Sequence, residues 1–339
     1  MSRCISAPRP SLALGLCTAL LAPVAAAQVK VDPRLARYEA SSGVAGSIKS
    51  VGSDTMNNLM ALWAEGFRRH YPNVEIEIEG KGSSTAPAAL SKGAATFGPM
   101  SRRMAKSELD AFEEKFGYKP VELAAAIDML AVYVHKDNPI AERGLSLAQL
   151  DAIFSKTRKG GHDGEIRTWG DLGLGGEWAD KPISMFGRNS ASGTYGYFKK
   201  TALFGGDFRD EVKEQPGSSS VVQGVASDRY AIGYSGIGYR TADVAVVPLA
   251  EGDDMDPVAP TAENVSDYPM SRFLLLTLNH RPGSRLDPLR REFLQFVYSR
   301  EGQEVVVKDG YLPLSLEICT QQLEQVGLEP RVAAGEPGH

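Results

Sequence analysis

The chain has 339 residues, a formal net charge of -5 and 23% charged residues. An acidic chain has no general field that attracts nucleic acid or an anionic membrane, so partners of these classes are not expected. The length suits two α/β domains of ordinary size.

The N-terminus has the features of a secretory signal. A basic start at Arg3 precedes a short apolar run over residues 12–22, and small residues lead to Ala27. This pattern predicts a signal peptide at residues 1–27, cleaved after Ala27, and a periplasmic mature protein. A bulky Leu precedes Cys17 and the apolar run continues past it, which disfavours lipoprotein anchoring. Loss of the two positive charges of Arg3 and Arg9 takes the net charge from -5 to about -7, and only Cys319 remains, so no internal disulfide is expected.

Residues 28–46 are polar, lack a sustained period and are predicted to form an N-terminal arm. The chain then repeats a strand, a small-residue turn and a helix three times. The strands are predicted at 46–51, 74–79 and 94–97, the turns at 52–55, 80–85 and 98–103, and the helices at 56–67, 86–92 and 106–116. Helix starts have free N–H groups, and the carboxyl ends of parallel strands meet at one edge, so these turns suit an anion. Ser53 or Asp54 is a natural N-cap for the first of these helices.

The second half continues with α/β patterning. Two apolar runs, 121–127 and 129–134, predict strands, and a further turn at 217–220 is interpreted as a loop and helix cap, with a donor role as the alternative. Other strands are predicted at 181–186 and 273–278, a strand and turn at 231–239, and helices at 147–154, 196–204 and 288–298.

The segment Gly187–Tyr195 concentrates anion-binding groups between a predicted strand and a predicted helix. Arg188 offers a planar fork suited to an oxyanion, and Ser192 and Thr194 add hydroxyls. Gly193 allows an oxyanion to approach the backbone closely. The direct interpretation of this segment is an anion site.

Enzymatic signatures are absent from the sequence. It contains no Gly-x-Ser-x-Gly elbow and no Gly-x-x-x-x-Gly-Lys-[Ser/Thr] loop. The five histidines are scattered without metal-ligand spacing. We therefore expect neither catalysis nor a cofactor.

The order of these motifs resembles the periplasmic phosphate-binding proteins of ABC transporters, the PstS family, over roughly residues 48–313. Its most specific element is the Arg-x-x-x-Ser-Gly-Thr segment that begins at Arg188. The resemblance implies an α/β periplasmic-binding-protein fold of type II, with two doubly wound domains joined by a hinge and a ligand cleft between them. With chain crossings near Asp128 and Met270, lobe 1 is expected at 47–127 plus 271–330 and lobe 2 at 128–270.

The resemblance also implies a phosphate-binding set. Lobe 2 would contribute Arg188, Ser192, Gly193 and Thr194, and lobe 1 would contribute Asp54, Thr55, Ser84 (or its neighbour Ser83) and Ser101. The family commonly has an Asp at the third turn, where this chain has Ser101, and a Thr in the first turn, where it has Asp54. We hypothesise that Asp54 has taken over the acceptor role for the phosphate proton, which would select phosphate over sulfate.

Simpler interpretations stay open for these residues. The alternatives are that Asp54 serves only as an N-cap, that Ser83 to Thr85 are ordinary loop residues, and that Arg188 lies in a surface ion pair. A role other than ligand contact is also open for Ser101, and Arg102 and Arg103 are expected in surface or hinge salt bridges.

The implied function is a non-enzymatic, monomeric receptor that captures inorganic phosphate and delivers it to an ABC transporter permease. Another tetrahedral oxyanion, such as sulfate, molybdate or arsenate, is the nearer alternative. A secreted phosphatase that uses the same cleft is the more distant one.

Overall fold

A computed structural model describes Met1 and residues 29–333 of the chain. The remainder of the predicted signal peptide, with Cys17 and the cleavage position, lies outside the described residues. The strands are β1 Ser47–Val51, β2 Glu75–Glu79, β3 Gly98–Met100, β4 Val121–His135, β5 Leu145–Ser146, β6 Ser184–Arg188, β7 Lys213–Gln215, β8 Ala231–Gly236, β9 Val244–Val247, β10 Leu249–Ala250 and β11 Ser271–Leu278. The helices are α1 Asn57–His70, α2 Thr85–Ser91, α3 Lys106–Phe116, α4 Ile140–Arg143, α5 Leu147–Phe154, α6 Gly193–Thr201, α7 Ser218–Ser227, α8 Pro288–Val297, α9 Arg300–Lys308 and α10 Leu316–Glu324.

The main sheet is mixed. Its strand order is β3-β11-β4-β8-β6-β7, and β9 also pairs with β4. The pairs of β4 with β8, β9 and β11 are antiparallel, whereas β6 is parallel to β7 and β8. A separate parallel pair, β1 and β2, is joined to the start of β3 by a parallel bridge between Ser50 and Phe97.

One long strand, β4, runs through both lobes. It pairs with β11 as far as Met129 and with β8 from Leu130 onward. The sequence predicted two strands separated at Asp128, and this prediction is wrong. The chain stays extended there because its backbone pairs with β11 up to Met129 and with β8 from Leu130, and the buried charge of Asp128 is paired with Arg272 of the neighbouring strand.

Each lobe has its own hydrophobic core. In the first lobe, Trp63 and Phe67 of α1 pack with Phe293 and Phe296 of α8. In the second lobe, the core is built around Phe154, Phe198 and Tyr234 among others. The rings of Phe198 and Tyr234 stack with centroids 3.8 Å apart, which fixes α6 against β8.

The N-terminal arm packs against the first lobe. Leu35 is fully buried and forms a bridge with Val332. The Tyr38 hydroxyl donates to a carboxylate oxygen of Glu292 at 2.9 Å. These contacts anchor a segment that has almost no regular structure.

Three local predictions need correction. The third strand is at Gly98–Met100 and not at 94–97, because residues 98–100 pair with β11. Neither Ser53 nor Asp54 caps α1 with its side chain, since a 3₁₀ turn over Asp54–Met56 precedes the helix. Helix α6 begins at Gly193, three residues earlier than predicted, so Thr194 lies in its first turn and Ser192 is its N-cap.

Within residues 29–333, no helix is both long and apolar enough to cross a membrane. The cysteine in this range, Cys319, is buried and unpaired. The residue boundaries that the sequence assigned to the two lobes stay a prediction.

Candidate functional site

The site forms where the turns after β1, β2 and β3 meet the start of α6. At this helix start Ser192 is the N-cap, and its Oγ accepts a hydrogen bond from the Thr194 N–H at 3.1 Å. A helix N-terminus carries partial positive charge, which favours an anion. Lobe 1 thus supplies three turns, and lobe 2 supplies a helix dipole.

Four buried hydroxyl groups form a hydroxyl cluster between the lobes: Thr55, Ser83, Ser101 and Thr194. The Oγ1 atoms of Thr55 and Thr194 lie 2.9 Å apart, and Ser101 Oγ lies 3.5 Å from Thr194 Oγ1. Ser83 Oγ lies 3.2 Å from Ser101 Oγ. Residues far apart in the sequence thus present several O–H donors to one point.

Gly193 brings the backbone of lobe 2 against this cluster. A Cβ at this position would lie 2.3 Å from Ser83 Oγ and 2.7 Å from Ser101 Oγ. Both distances are shorter than any real contact between these atoms, so only glycine permits this approach.

Arg188 is almost completely enclosed, with 1% of its surface exposed. Its Nη1 donates to Ser218 Oγ at 2.6 Å and its Nη2 to the Pro216 carbonyl at 3.1 Å, while Nε has no hydrogen-bond partner in the described structure. Burial lowers the pKa of the guanidinium, and the nearby carboxylate of Asp54 opposes this change. A guanidinium stays charged under these conditions, so the site holds a buried cation.

Asp54 is the acidic partner of this cation. Its Oδ2 lies 3.2 Å from Arg188 Nη2 and accepts a hydrogen bond from the Ser218 N–H at 2.8 Å. Because Asp54 belongs to the first lobe and both partners belong to the second, the pair bridges the cleft. The carboxylate therefore contacts lobe 2 and does not cap its own helix.

Ser84 lies apart from the hydroxyl cluster. Its exposed Oγ donates to the carbonyl of Ala191 at 3.0 Å, and its N–H donates to the same oxygen. Gly82, at φ +115°, lies so close that a Cβ would be 2.4 Å from that carbonyl. Of the two serines considered for the second turn, the neighbour Ser83 faces the cluster, and Ser84, which was named first, does not.

The structure also brings Arg272 to the site, and the sequence analysis missed it. Its Nη2 donates to Thr194 Oγ1 at 2.9 Å and to Asp128 Oδ2 at 2.7 Å, and its Nη1 donates to the Ser101 carbonyl at 2.9 Å. A signal for it existed: Asp128 and Arg272 are lone opposite charges next to apolar strand residues. Such charges are rarely buried unless they pair.

Three further polar groups were missed or underestimated. Ser53 Oγ donates to Ser101 Oγ at 3.1 Å, and Ser218 holds both Arg188 and Asp54. The Tyr239 hydroxyl donates to the Asp54 carbonyl at 3.0 Å. The turn at 217–220 is thus both a helix start and part of the surroundings of the site.

Arg102 and Arg103 pair with Glu108 and Glu122 of lobe 1, as surface charges do.

A groove opens on each side of the cleft. One, of about 690 Å³, is lined by Asp54, Tyr239 and Asp309 among others. The other, of about 730 Å³, is lined by Ser101, Arg272 and further cationic side chains. Within residues 29–333, no group of three or more His, Cys, Asp and Glu side chains is arranged to hold a metal ion. Buried hydroxyls, a helix N-terminus and a buried guanidinium favour a small oxyanion.

Comparison with known proteins identifies the family. A family model described as "PBP superfamily domain" matches residues 38–301. The phosphate-binding protein PstS of Pseudomonas aeruginosa is 54% identical over 306 residues, which cover 90% of this chain and 94% of the relative. The chain belongs to the PstS family. The PstS protein of Bacillus subtilis is 30% identical and covers 80% of this chain and 81% of its own length.

Solved structures agree with this membership of the PstS family. A putative phosphate ABC transporter substrate-binding protein from Clostridium perfringens, solved with bound phosphate, superimposes with a TM-score of 0.66 and 28% identity. The match covers 79% of this chain and the whole of that one. An ABC-type phosphate transport receptor from Vibrio cholerae has a TM-score of 0.59 at 23% identity, which supports the fold. The two-lobed fold expected of this PstS family member is therefore confirmed.

Proposed function

We propose that this chain is the receptor that captures inorganic phosphate between its lobes and delivers it to an ABC transporter. The observation that carries the proposal is the convergence of four buried hydroxyls and the α6 N-terminus between the lobes, beside the ion pair of Asp54 with the buried Arg188. The 54% identity with a phosphate-binding protein over nearly the whole chain supports the same ligand.

The proposed ligand contacts come from both lobes. Thr55, Ser83 and Ser101 donate from the first lobe, and Arg188 and Thr194 donate from the second. Ser192 contributes through its cap position and Gly193 through its backbone N–H. Each charge-assisted hydrogen bond contributes about 1.5–3 kcal/mol net, and the costs of desolvating the anion and closing the lobes offset much of the sum. Ser84 serves at the rim, where it joins the lobes through the Ala191 carbonyl.

Asp54 has two functions in this proposal. Its Oδ2 holds Arg188 and the start of α7, as its hydrogen bonds indicate. Its Oδ1 makes no hydrogen bond within the described structure, and we assign to it the phosphate proton. A carboxylate in this place accepts a hydrogen bond from the P–O–H group that hydrogen phosphate carries and sulfate lacks, so it favours phosphate.

Lobe closure links capture to delivery. Only a closed cleft brings donors of both lobes onto one oxyanion, so phosphate stabilises the closed form. We propose that the closed lobes of a monomer present the surface that a membrane permease recognises, and that the protein binds without catalysis. The proposed location is the periplasm, after cleavage near Ala27.

Calorimetry on protein stripped of ligand by unfolding and refolding tests the function. We expect tight binding of phosphate, weaker binding of arsenate, and no measurable binding of sulfate or molybdate. Absence of binding heat with phosphate would overturn the proposal. Stronger binding of sulfate or molybdate would support the alternative receptor, and release of phosphate from a monoester would support a phosphatase.

A further inference from the structure

Arg272 contacts both lobes. It lies on β11, where its Nη1 holds the third turn of lobe 1 through the Ser101 carbonyl at 2.9 Å. Its Nη2 reaches lobe 2 at Thr194 Oγ1, also at 2.9 Å. The ring of Tyr197, on the same face of α6, lies 5.1 Å from the guanidinium carbon. Two of its contacts therefore exist only while α6 lies against lobe 1.

Asp128 fixes the guanidinium in this position. Its Oδ2 accepts from both Nε and Nη2 of Arg272, at 2.9 and 2.7 Å, and the two side chains are almost completely buried. Its Oδ1 accepts from the Ile237 N–H at 3.0 Å, at the end of β8. A planar fork held on one edge by a carboxylate keeps its remaining N–H groups in a fixed direction.

The contact with Thr194 changes what this hydroxyl does. A hydroxyl oxygen that accepts a hydrogen bond from Arg272 directs its own O–H elsewhere, and Thr55 Oγ1 lies 2.9 Å away on the side of the hydroxyl cluster. Donation from a cation also polarises that O–H and makes it a stronger donor to an anion.

We propose that Arg272 is a positioning residue for phosphate, which acts through Thr194 and Ser101 and contributes to affinity only in the closed cleft. This inference rests on the proposed function. Arg188 and Arg272 then have separate tasks: Arg188 faces the ligand from lobe 2, whereas Arg272 orients donors of both lobes from the place where β4 passes between them.

The test compares Arg272→Lys with the wild type. A lysine keeps an ammonium beside Asp128, so the buried carboxylate stays paired, but it cannot reach Ser101, Asp128 and Thr194 together. We expect phosphate affinity to fall at least about tenfold by calorimetry, with little change in the Tm of the ligand-free protein. As a matched control, Arg209→Lys alters another buried arginine, whose hydrogen bonds to Ala152 and Ser155 all stay inside lobe 2. It is expected to keep the wild-type affinity.

A double-mutant cycle with Thr194→Val separates positioning from general stability. If Arg272 acts through the Thr194 hydroxyl, then Arg272→Lys costs much less affinity in the Thr194→Val background than in the wild type. Equal losses in the two backgrounds, or wild-type affinity in Arg272→Lys, would overturn the inference. If Arg272→Lys does not fold, the double variant Asp128→Asn/Arg272→Gln takes its place in the cycle. This double variant leaves no buried charge unpaired. Failure of the wild type to bind phosphate would instead refute the proposed function.

Discussion

Asp54 and Arg188 join the two lobes directly, with Asp54 Oδ2 3.2 Å from Arg188 Nη2. The arginine is buried, whereas the carboxylate is partly exposed at one groove of the cleft. Truncation of a partner of a buried arginine leaves an uncompensated charge, which is costly. The same ion pair therefore joins the two lobes and balances the charge of the anion site, so closure and site charge depend on each other.

We expect Asp54→Asn to weaken phosphate binding at least about tenfold, or about 1.4 kcal/mol. The amide keeps the shape of the side chain but loses its charge and one acceptor oxygen. Affinity for sulfate should change less or rise, because the amide does not repel a fully ionised anion. Calorimetry with both anions measures the selectivity.

Asp243→Asn is the control for this experiment. Asp243 lines the same groove, but its carboxylate pairs with Lys136 at the surface. The Asp243→Asn substitution removes the same charge as Asp54→Asn but leaves the contact with Arg188 intact, so phosphate affinity should be unchanged. If Asp54→Asn keeps both the affinity and the selectivity of the wild type, Asp54 has neither proposed role.

We expect Arg188→Lys to reduce phosphate affinity by about 10–100-fold. A lysine retains the positive charge but cannot donate to Ser218 and Pro216 while it also faces an anion. Arg102→Lys is a suitable comparison, because Arg102 pairs with Glu108 inside lobe 1. Similar phosphate affinities in the two variants would show that the fork of Arg188 does not contact the ligand.

Much of the site could be predicted from local sequence, because each turn carries its donors on adjacent residues. The segment from Arg188 to Thr194 holds a cation, three hydroxyls and a glycine within seven positions. The resemblance favoured Ser84 over its neighbour Ser83, whereas Ser83 faces the cluster, because which of two adjacent serines faces a cleft depends on the backbone at Gly82.

Partners distant in the sequence were the part that local patterns could not supply. Arg272 and Asp128 are 144 residues apart, and each alone suggests only an irregular strand. The pair accounts for a buried charge inside the continuous strand β4, which was predicted in two pieces because Asp128 interrupts an apolar run. The N-cap assigned to Asp54 failed for a related reason: its carboxylate bonds to the start of α7 in the other lobe.

Gly193→Ala should block closure without unfolding the protein. The added methyl would meet Ser83 and Ser101 across the cleft, and separation of the lobes relieves both contacts. We expect an unchanged Tm without ligand, a large loss of phosphate affinity and no decrease in the radius of gyration on phosphate addition in small-angle scattering.

The matched control is Gly196→Ala, one turn further along α6. A Cβ there would lie 3.5 Å from Arg102 Cδ, which is an ordinary contact. This variant should bind phosphate and close as the wild type does. A compact, phosphate-bound Gly193→Ala protein would contradict the close approach on which the site depends.

Asp309 predicts a pH dependence of stability. Burial raises the pKa of this carboxyl to about 7, although a hydrogen bond from Asn58 opposes the change. Because the folded pKa exceeds the value of 3.8 for the unfolded chain, the folded state binds more protons between these limits. The Asp309 carboxyl therefore makes its full contribution to stability below about pH 4. This contribution, up to about 4 kcal/mol in the free energy of unfolding, is lost as the pH rises through about 7. Asp309→Asn should remove this component, so the difference in the free energy of unfolding between variant and wild type should grow from pH 4 to pH 8 in urea titrations. A difference that stays constant over this range would show that Asp309 does not titrate between the folded and unfolded states as proposed.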